Sequence, residues 1–282
     1  MIYVLYVYMI SGEQFQLLAD VYIGYYEDFN QNPFMEQHKD KFVHFNDLNT
    51  ITKDGKMYEN KKKIFCYGDR INELSNYVKN FMNPFILITH NSDFNVYDNK
   101  ESNVIANCPN LIRWYCQNLN FNHEKVYILP IGLANRMWSH GKLDIFENLK
   151  KVKKTNNVYM QFNLSTNYSK RYPCQQKLIE KGVPFLSYME PKSNIIRLQS
   201  YEFCICPEGN GSDTHRLWEA YYTNTVPILL RSKYSELIKT TFNLPIVLLD
   251  SWDQFDKELL PKYDTFNFEK NDSLYIKNYH LL

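Results

Sequence analysis

The chain has 282 residues, 44% of them hydrophobic, which suits one large domain or two of ordinary size and excludes global disorder. Lys and Arg number 32 against 31 Asp and Glu, a formal net charge of +1, so the chain is not built to track a phosphate backbone and nucleic acid is not an expected partner. The high aromatic share, 16%, goes with abundant Asn and Lys and reads as genome composition rather than as a binding surface.

The first ten residues, Met1 to Ile10, are apolar and Tyr-rich and predict a buried first strand. They are too short to cross a bilayer, which needs ~20 residues, and they lack the basic start of a signal peptide. No later stretch reaches spanning length, so a soluble protein without a membrane span is expected. Lys63–Cys66 predicts a strand, Ile71–Phe81 a helix with Leu74, Tyr77, Val78 and Phe81 on one side, and Pro84–Thr89 a strand buried on both faces. Asn103–Ala106 reads as a short strand, Asn110–Asn118 as a helix after Pro109, and Val126–Leu129 as a strand.

The basic stretch Lys142–Lys154 marks the expected domain boundary, giving domains 1–150 and 151–282. Beyond it the alternation is cleaner. Strands are predicted at Val158–Phe162, Phe185–Tyr188, Phe203–Cys206, Val226–Leu230 and Leu244–Leu249. Helices are predicted at Ser169–Lys181, Lys192–Ser200, Asp213–Thr223, Ser232–Thr240 and Ser251–Leu260. Strands alternating with helices imply a parallel sheet covered on both faces. Two such halves imply an α/β protein of two Rossmann-like domains facing across a cleft, with the tail from Pro261 packing back on the first. The cysteines, Cys66, Cys108, Cys116, Cys174, Cys204 and Cys206, read as reduced core thiols of a cytoplasmic protein, because a chain of this size needs no staples.

One segment carries chemistry: Phe203-Cys-Ile-Cys-Pro-Glu-Gly-Asn-Gly-Ser-Asp-Thr-His-Arg-Leu-Trp-Glu-Ala, followed by Thr225-Val-Pro-Ile-Leu. A buried strand ends at Pro207. A loop of Glu208, Gly209, Asn210, Gly211 and Ser212 follows, whose glycines let backbone amides approach a ligand. Ser212 or Asp213 then caps a helix whose first turn holds Thr214, His215 and Arg216. A basic residue there opposes the helix dipole unless an anion sits with it, held by amides and guanidinium together. Glu219 shares a face with His215 and Arg216 and is placed to accept from ribose hydroxyls. The plainer alternative is that Arg216 pairs with Glu219 or Glu208 and that His215 is an exposed cap residue.

This segment, with the run Asn224-Thr-Val-Pro-Ile-Leu-Leu, resembles the donor-sugar motif of exostosin-type glycosyltransferases, in the compact form seen in large DNA viruses and protists. Weaker echoes are Pro84–Asp93, Leu129–Gly141 and Phe162–Arg171. Asn224-Thr225 departs from the pattern, because relatives often carry Gly before the Val-Pro. The resemblance implies a GT-B fold with an acceptor domain at 1–150 and a nucleotide-sugar domain at 151–282. It also implies transfer of a sugar from a nucleoside-diphosphate donor, UDP-linked, to a hydroxyl of a glycan or glycoprotein. Were the chain viral, it would work in the host cytoplasm.

The sequence has no Asp-x-Asp, Walker A, Gly-x-Gly-x-x-Gly or His-Glu-x-x-His. No metal and no cofactor beyond the donor are therefore expected, and the leaving diphosphate must be neutralised by Arg216, loop amides and Arg171. His90 or Asp93, after the buried strand of the first domain, is the expected general base. The plainer alternatives are a structural donor in an Asx-type turn for His90 and a surface residue for Arg171. His140 and Asp69 stand in reserve. Two rival functions remain: a non-catalytic glycan- or nucleotide-binding protein of degenerate glycosyltransferase type, and a nucleotide-sugar epimerase.

Overall fold

The structure is a computed structural model that describes residues 9–24, 27–45, 62–141, 143–150, 152–266, 268 and 276–279. The strand expected at Met1–Ile10 lies almost wholly outside them, as do Lys142, Lys151 and much of the tail. Contacts divide the chain into two compact units, Met1–Trp138 with Ser273–Leu282, and Ser139–Asp272. Among the described residues no helix is long and apolar enough to cross a membrane.

The first unit runs α1 (Gly12–Leu17), β1 (Val21–Ile23), α2 (Glu27–Gln31), α3 (Pro33–Glu36), β2 (Val43–Phe45), β3 (Lys63–Tyr67), α4 (Ile71–Tyr77), β4 (Phe85–His90), α5 (Lys100–Ala106), β5 (Leu111–Cys116) and β6 (Val126–Ile128). Its six strands form one parallel sheet in the order β2-β1-β3-β4-β5-β6. β4 pairs with β3 and β5, which is why its sequence is almost continuously apolar. Near the chain end, the Tyr279 ring packs edge-on against Phe15 at 5.2 Å, within this same unit.

Two sequence assignments here are corrected. Asn103–Ala106 is helical, part of α5, because Asn99 caps the helix by accepting from the Ser102 N–H at 2.8 Å. Leu111–Cys116 is a strand, not a helix. Its apolar residues at Leu111, Trp114 and Tyr115 mimic a helical stripe, but they are buried by pairing with β4 and β6. β1 and β2 have only three residues each and gave no periodic signal.

The second unit runs α6 (Leu143–Glu147), β7 (Asn156–Tyr159), α7 (Tyr168–Glu180), α8 (Pro191–Gln199), β8 (Tyr201–Ile205), α9 (His215–Tyr222), β9 (Val226–Leu230), α10 (Lys233–Thr241) and β10 (Val247–Leu249). Its four strands are parallel, in the order β10-β9-β8-β7. Val158, Phe203, Ile205, Val226 and Ile228 of the sheet pack with Cys174 and Leu178 of α7 and with Trp252 and Phe255. Caps mark the helix starts: Glu190 accepts from Lys192 and Ser193 ahead of α8, with Pro191 in the first turn, and Ser232 accepts from Ser235 ahead of α10.

Two further assignments are corrected here. Phe185–Tyr188 forms no strand; its one ladder-like bond is Leu186 N–H to Met160 O at 2.9 Å. Ser251–Leu260 is helical only as a short turn at Trp252–Gln254. Phe255 then turns extended and enters the core, so burying one aromatic ring wins over continuing an exposed helix. The two parallel-strand sheets fit a two-domain Rossmann-like arrangement. All six cysteines are buried and free. Burial pushes the Cys66 thiol up to about 12 and holds Cys116 and Cys206 well above the ordinary thiol value, so they are inert packing groups.

Candidate functional site

The second unit contains a cavity of about 780 Å³, within the size range of small-ligand sites. Its apolar wall includes Phe162, Leu164, Phe185, Met189 and Ile195, and its polar groups include His140, Gln161, Asn163, Asn194, Arg216 and Glu219. Arg216 and Glu219 are both on α9. Gln161 and Asn163 follow the carboxyl end of β7, where parallel sheets bind ligands.

Arg216 is the charged centre of this wall. Its Nε lies 3.0 Å from Glu219 Oε2, and its Nη2 donates to Gln161 Oε1 at 3.3 Å. The guanidinium sits 5.4 Å from the Tyr159 ring centroid. Nη1 is buried and has no hydrogen-bond partner among the described residues. Burial works against its charge, but Glu219, Cys204 and Tyr159 more than offset it, so its pKa is raised and it stays charged. The plain alternative of an Arg216–Glu219 pair is thus realised, and the pair faces a cavity. Next to it, His215 opens α9, with its ring centroid 6.2 Å from that of His140.

The glycine loop is placed differently. Among the described residues, Glu208 to Ser212 do not line the cavity. Glu208 is ion-paired with Lys170. The Gly209 carbonyl accepts from Asn167 Nδ2 at 2.6 Å. Asn210 is exposed, Gly211 is buried and Ser212 is half-buried. Asp213 is buried, and its Oδ1 accepts from the Thr214 N–H at 2.8 Å and from Trp218 Nε1 at 2.9 Å. Thr214, not Ser212 or Asp213, is the N-cap position, so α9 starts two residues later than the sequence suggests. Arg171, on α7, is buried and bonded to backbone carbonyls.

In the first unit His90 ends β4 and is only 1% exposed. Its Nε2 lies 3.0 Å from the Pro130 carbonyl, which can only accept, so Nε2 carries the hydrogen. Nδ1 lies 2.8 Å from the Asn91 backbone nitrogen and 3.0 Å from Asn91 Oδ1, so it too is engaged. Asp93 is exposed on the turn that follows. Asp69 is exposed on the short helical turn after β3. Among the described residues no group of three or more His, Cys, Asp or Glu is arranged to hold a metal ion.

Compared with known proteins, the chain matches no family profile and no curated sequence. The geometry therefore stands on its own. Sequence reasoning missed Gln161, Asn163, Asn194 and the segment Phe185–Met189. Position after β7 could have found the first two. The segment reads as a strand in the sequence, and only tertiary packing makes it cavity wall instead.

Proposed function

We propose that the chain is a metal-independent glycosyltransferase of GT-B type. It moves a sugar from a UDP-linked donor to a hydroxyl of a glycan or glycoprotein. The observation that carries this reading is Arg216: a buried, charged guanidinium with an orphaned Nη1, on the wall of a cavity of about 780 Å³ beside Glu219. A buried N–H without an acceptor is costly, and a phosphate oxygen removes that cost.

In this reading the leaving diphosphate is bound by Arg216, which keeps Nε at Glu219 Oε2 and gives Nη1 to a phosphate oxygen. Glu219 Oε1 accepts from a ribose hydroxyl. Phe162, Phe185 and Met189 exclude water on the apolar side, which strengthens the ionic contacts. The acceptor oxygen forms the new bond to the anomeric carbon as the bond to the diphosphate oxygen breaks, and the charge that develops on the diphosphate is met by Arg216. His90 is a poor candidate for a general base, since both of its ring nitrogens are engaged in the core.

Calorimetry with UDP, GDP and CMP, followed by a transfer assay in excess EDTA with the UDP-sugar, tests the reading. Tight UDP binding and EDTA-resistant transfer support it. Loss of transfer in EDTA with rescue by manganese or magnesium would overturn the metal-free mechanism. UDP binding without transfer or hydrolysis would favour the non-catalytic alternative.

A further inference from the structure

The glycine loop after β8 lies off the cavity wall, yet three side chains of one helix start converge on it. Asn167, the residue before α7, donates from Nδ2 to the Gly209 carbonyl at 2.6 Å. Lys170 pairs with the Glu208 carboxylate. Arg171 donates from Nε to the Glu208 carbonyl at 2.9 Å and from Nη1 to the Asn163 carbonyl at 2.7 Å. One planar guanidinium thus bridges the loop after β7, which lines the cavity at Asn163, and the loop after β8.

Resting on the donor-site reading above, we propose that Arg171 is a positioning residue that clasps these two loops together and is not a ligand of the diphosphate. Three observations support it. First, Arg171 is a buried residue, 8% exposed, whose guanidinium is engaged by two carbonyls and seated 5.8 Å from the Phe162 ring centroid. Second, a Cβ on Gly209 would come within 3.1 Å of Arg171 Nη2, so glycine there answers to the guanidinium lying against the backbone. Third, the Glu208 and Gly209 carbonyls both turn toward α7. In planar trans peptides the N–H groups of Gly209 and Asn210 then point away from α7. The clasp thereby sets the direction in which the loop presents its amides. Burial, and after it the charge of Arg216, lower the Arg171 pKa, and it is Arg216 whose Nη1 is buried without a hydrogen-bond partner among the described residues.

The test uses the full chain and its R171M and R171K variants, with UDP as the probe. Hydrogen exchange reads the amides of residues 209–213, and calorimetry reads UDP affinity from low to high salt. In R171M the loop amides should exchange faster and UDP should bind about tenfold more weakly. The proportional loss of affinity with salt should match the wild type, because no ion pair to the ligand has gone. R171K should not rescue, since an ammonium lacks the fork that spans two carbonyls. A flattened salt dependence in R171M would make Arg171 a direct ligand and overturn the proposal, as would unchanged exchange. Should R171M fail to fold, Asn167→Ala, which removes the bond to the Gly209 carbonyl and the one accepted from the Ser169 hydroxyl, must speed loop exchange for the clasp to stand. If the wild type binds no UDP, the donor reading fails while the exchange measurement still decides the clasp.

Discussion

Of the arginine–glutamate pairs in the described residues, Arg136–Glu13 in the first unit and Arg216–Glu219 in the second are built from the same groups to different ends. In the first unit the Glu13 carboxylate is fully buried and accepts from Arg136 Nη1 at 2.9 Å, from the Arg136 N–H at 2.7 Å and from Asn32 Nδ2 at 3.0 Å. Arg136 stacks 4.1 Å from the Phe34 ring centroid. The carboxylate of that pair is closed in and needs nothing more. In the second unit Arg216 and Glu219 are 17% and 13% exposed, against 23% for Arg136, but they face a cavity, and Nε and Nη1 of the guanidinium have no hydrogen bond among the described residues. A closed pair holds a fold in place, because removing one partner strands a buried charge. An open pair can exchange part of its bonding with a ligand. The two pairs differ in unmet hydrogen bonding rather than in burial.

The largest effect should come from breaking the closed pair. Arg136→Met strands the Glu13 carboxylate and should cost about 3–5 kcal/mol of stability, read as a fall in the urea midpoint. A loss near that of an exposed pair would show that the first unit does not depend on this network. At the open pair the signature should invert. Arg216→Ala should raise the transfer barrier by about 2.7–4 kcal/mol, read in single-turnover assays, while destabilising the fold less than Arg136→Met does. Equal losses of stability with normal transfer would collapse the distinction.

Lys154 offers a third, intermediate case: a half-buried cation bonded only to neutral oxygens, the Thr223 carbonyl at 3.0 Å and Thr225 Oγ1 at 2.9 Å. Burial lowers its pKa from 10.5 to about 8, against the opposing pull of Cys204 and Glu202. Between those two values the unfolded chain binds a proton that the folded chain does not. Stability should therefore rise as pH climbs through that window, by on the order of 1–3 kcal/mol. Lys154→Met should flatten the rise in unfolding curves taken across it; an equally steep rise in the variant would assign the effect elsewhere.

The smallest effect concerns Asn224, which follows α9 with φ 53°. Left-handed backbone favours Gly and tolerates Asn, so a non-glycine residue stands here at small cost. Asn224→Ala should cost about 1 kcal/mol and Asn224→Gly close to nothing, both read from thermal unfolding. A neutral Ala variant would remove strain as the reason for Asn.

Much of the fold was legible before any coordinates. The apolar stretches Phe85–Ile88, Phe203–Ile205 and Val226–Leu229 are buried almost throughout, and runs of that kind resist misreading. α7, α8 and α10 were expected at nearly the bounds observed, α7 with its stop at Gly182 and Pro184. Short or two-faced segments failed. Leu111–Cys116 satisfies the helical and the extended pattern at once, and only its neighbours β4 and β6 decide between them. Of the candidate site, Arg216 and Glu219 were readable because three residues on a helix bring two side chains to one face.

By itself the sequence determined two runs of strand–helix alternation, hence two parallel sheets, and it marked the segment from Phe203 to Leu230 as the place for chemistry. These follow from local rules, side-chain period and capping, which act over a few residues. Tertiary structure alone decided which partners those residues meet. It sealed His90 between Pro130 and Phe15, turned Arg171 onto the carbonyls of two loops, buried Glu13 against Arg136, and made a cavity wall of Phe185–Met189. Contacts between residues tens of positions apart have no period to read. They are fixed by how whole elements pack, and a buried polar group takes whichever partner that packing brings within hydrogen-bond reach.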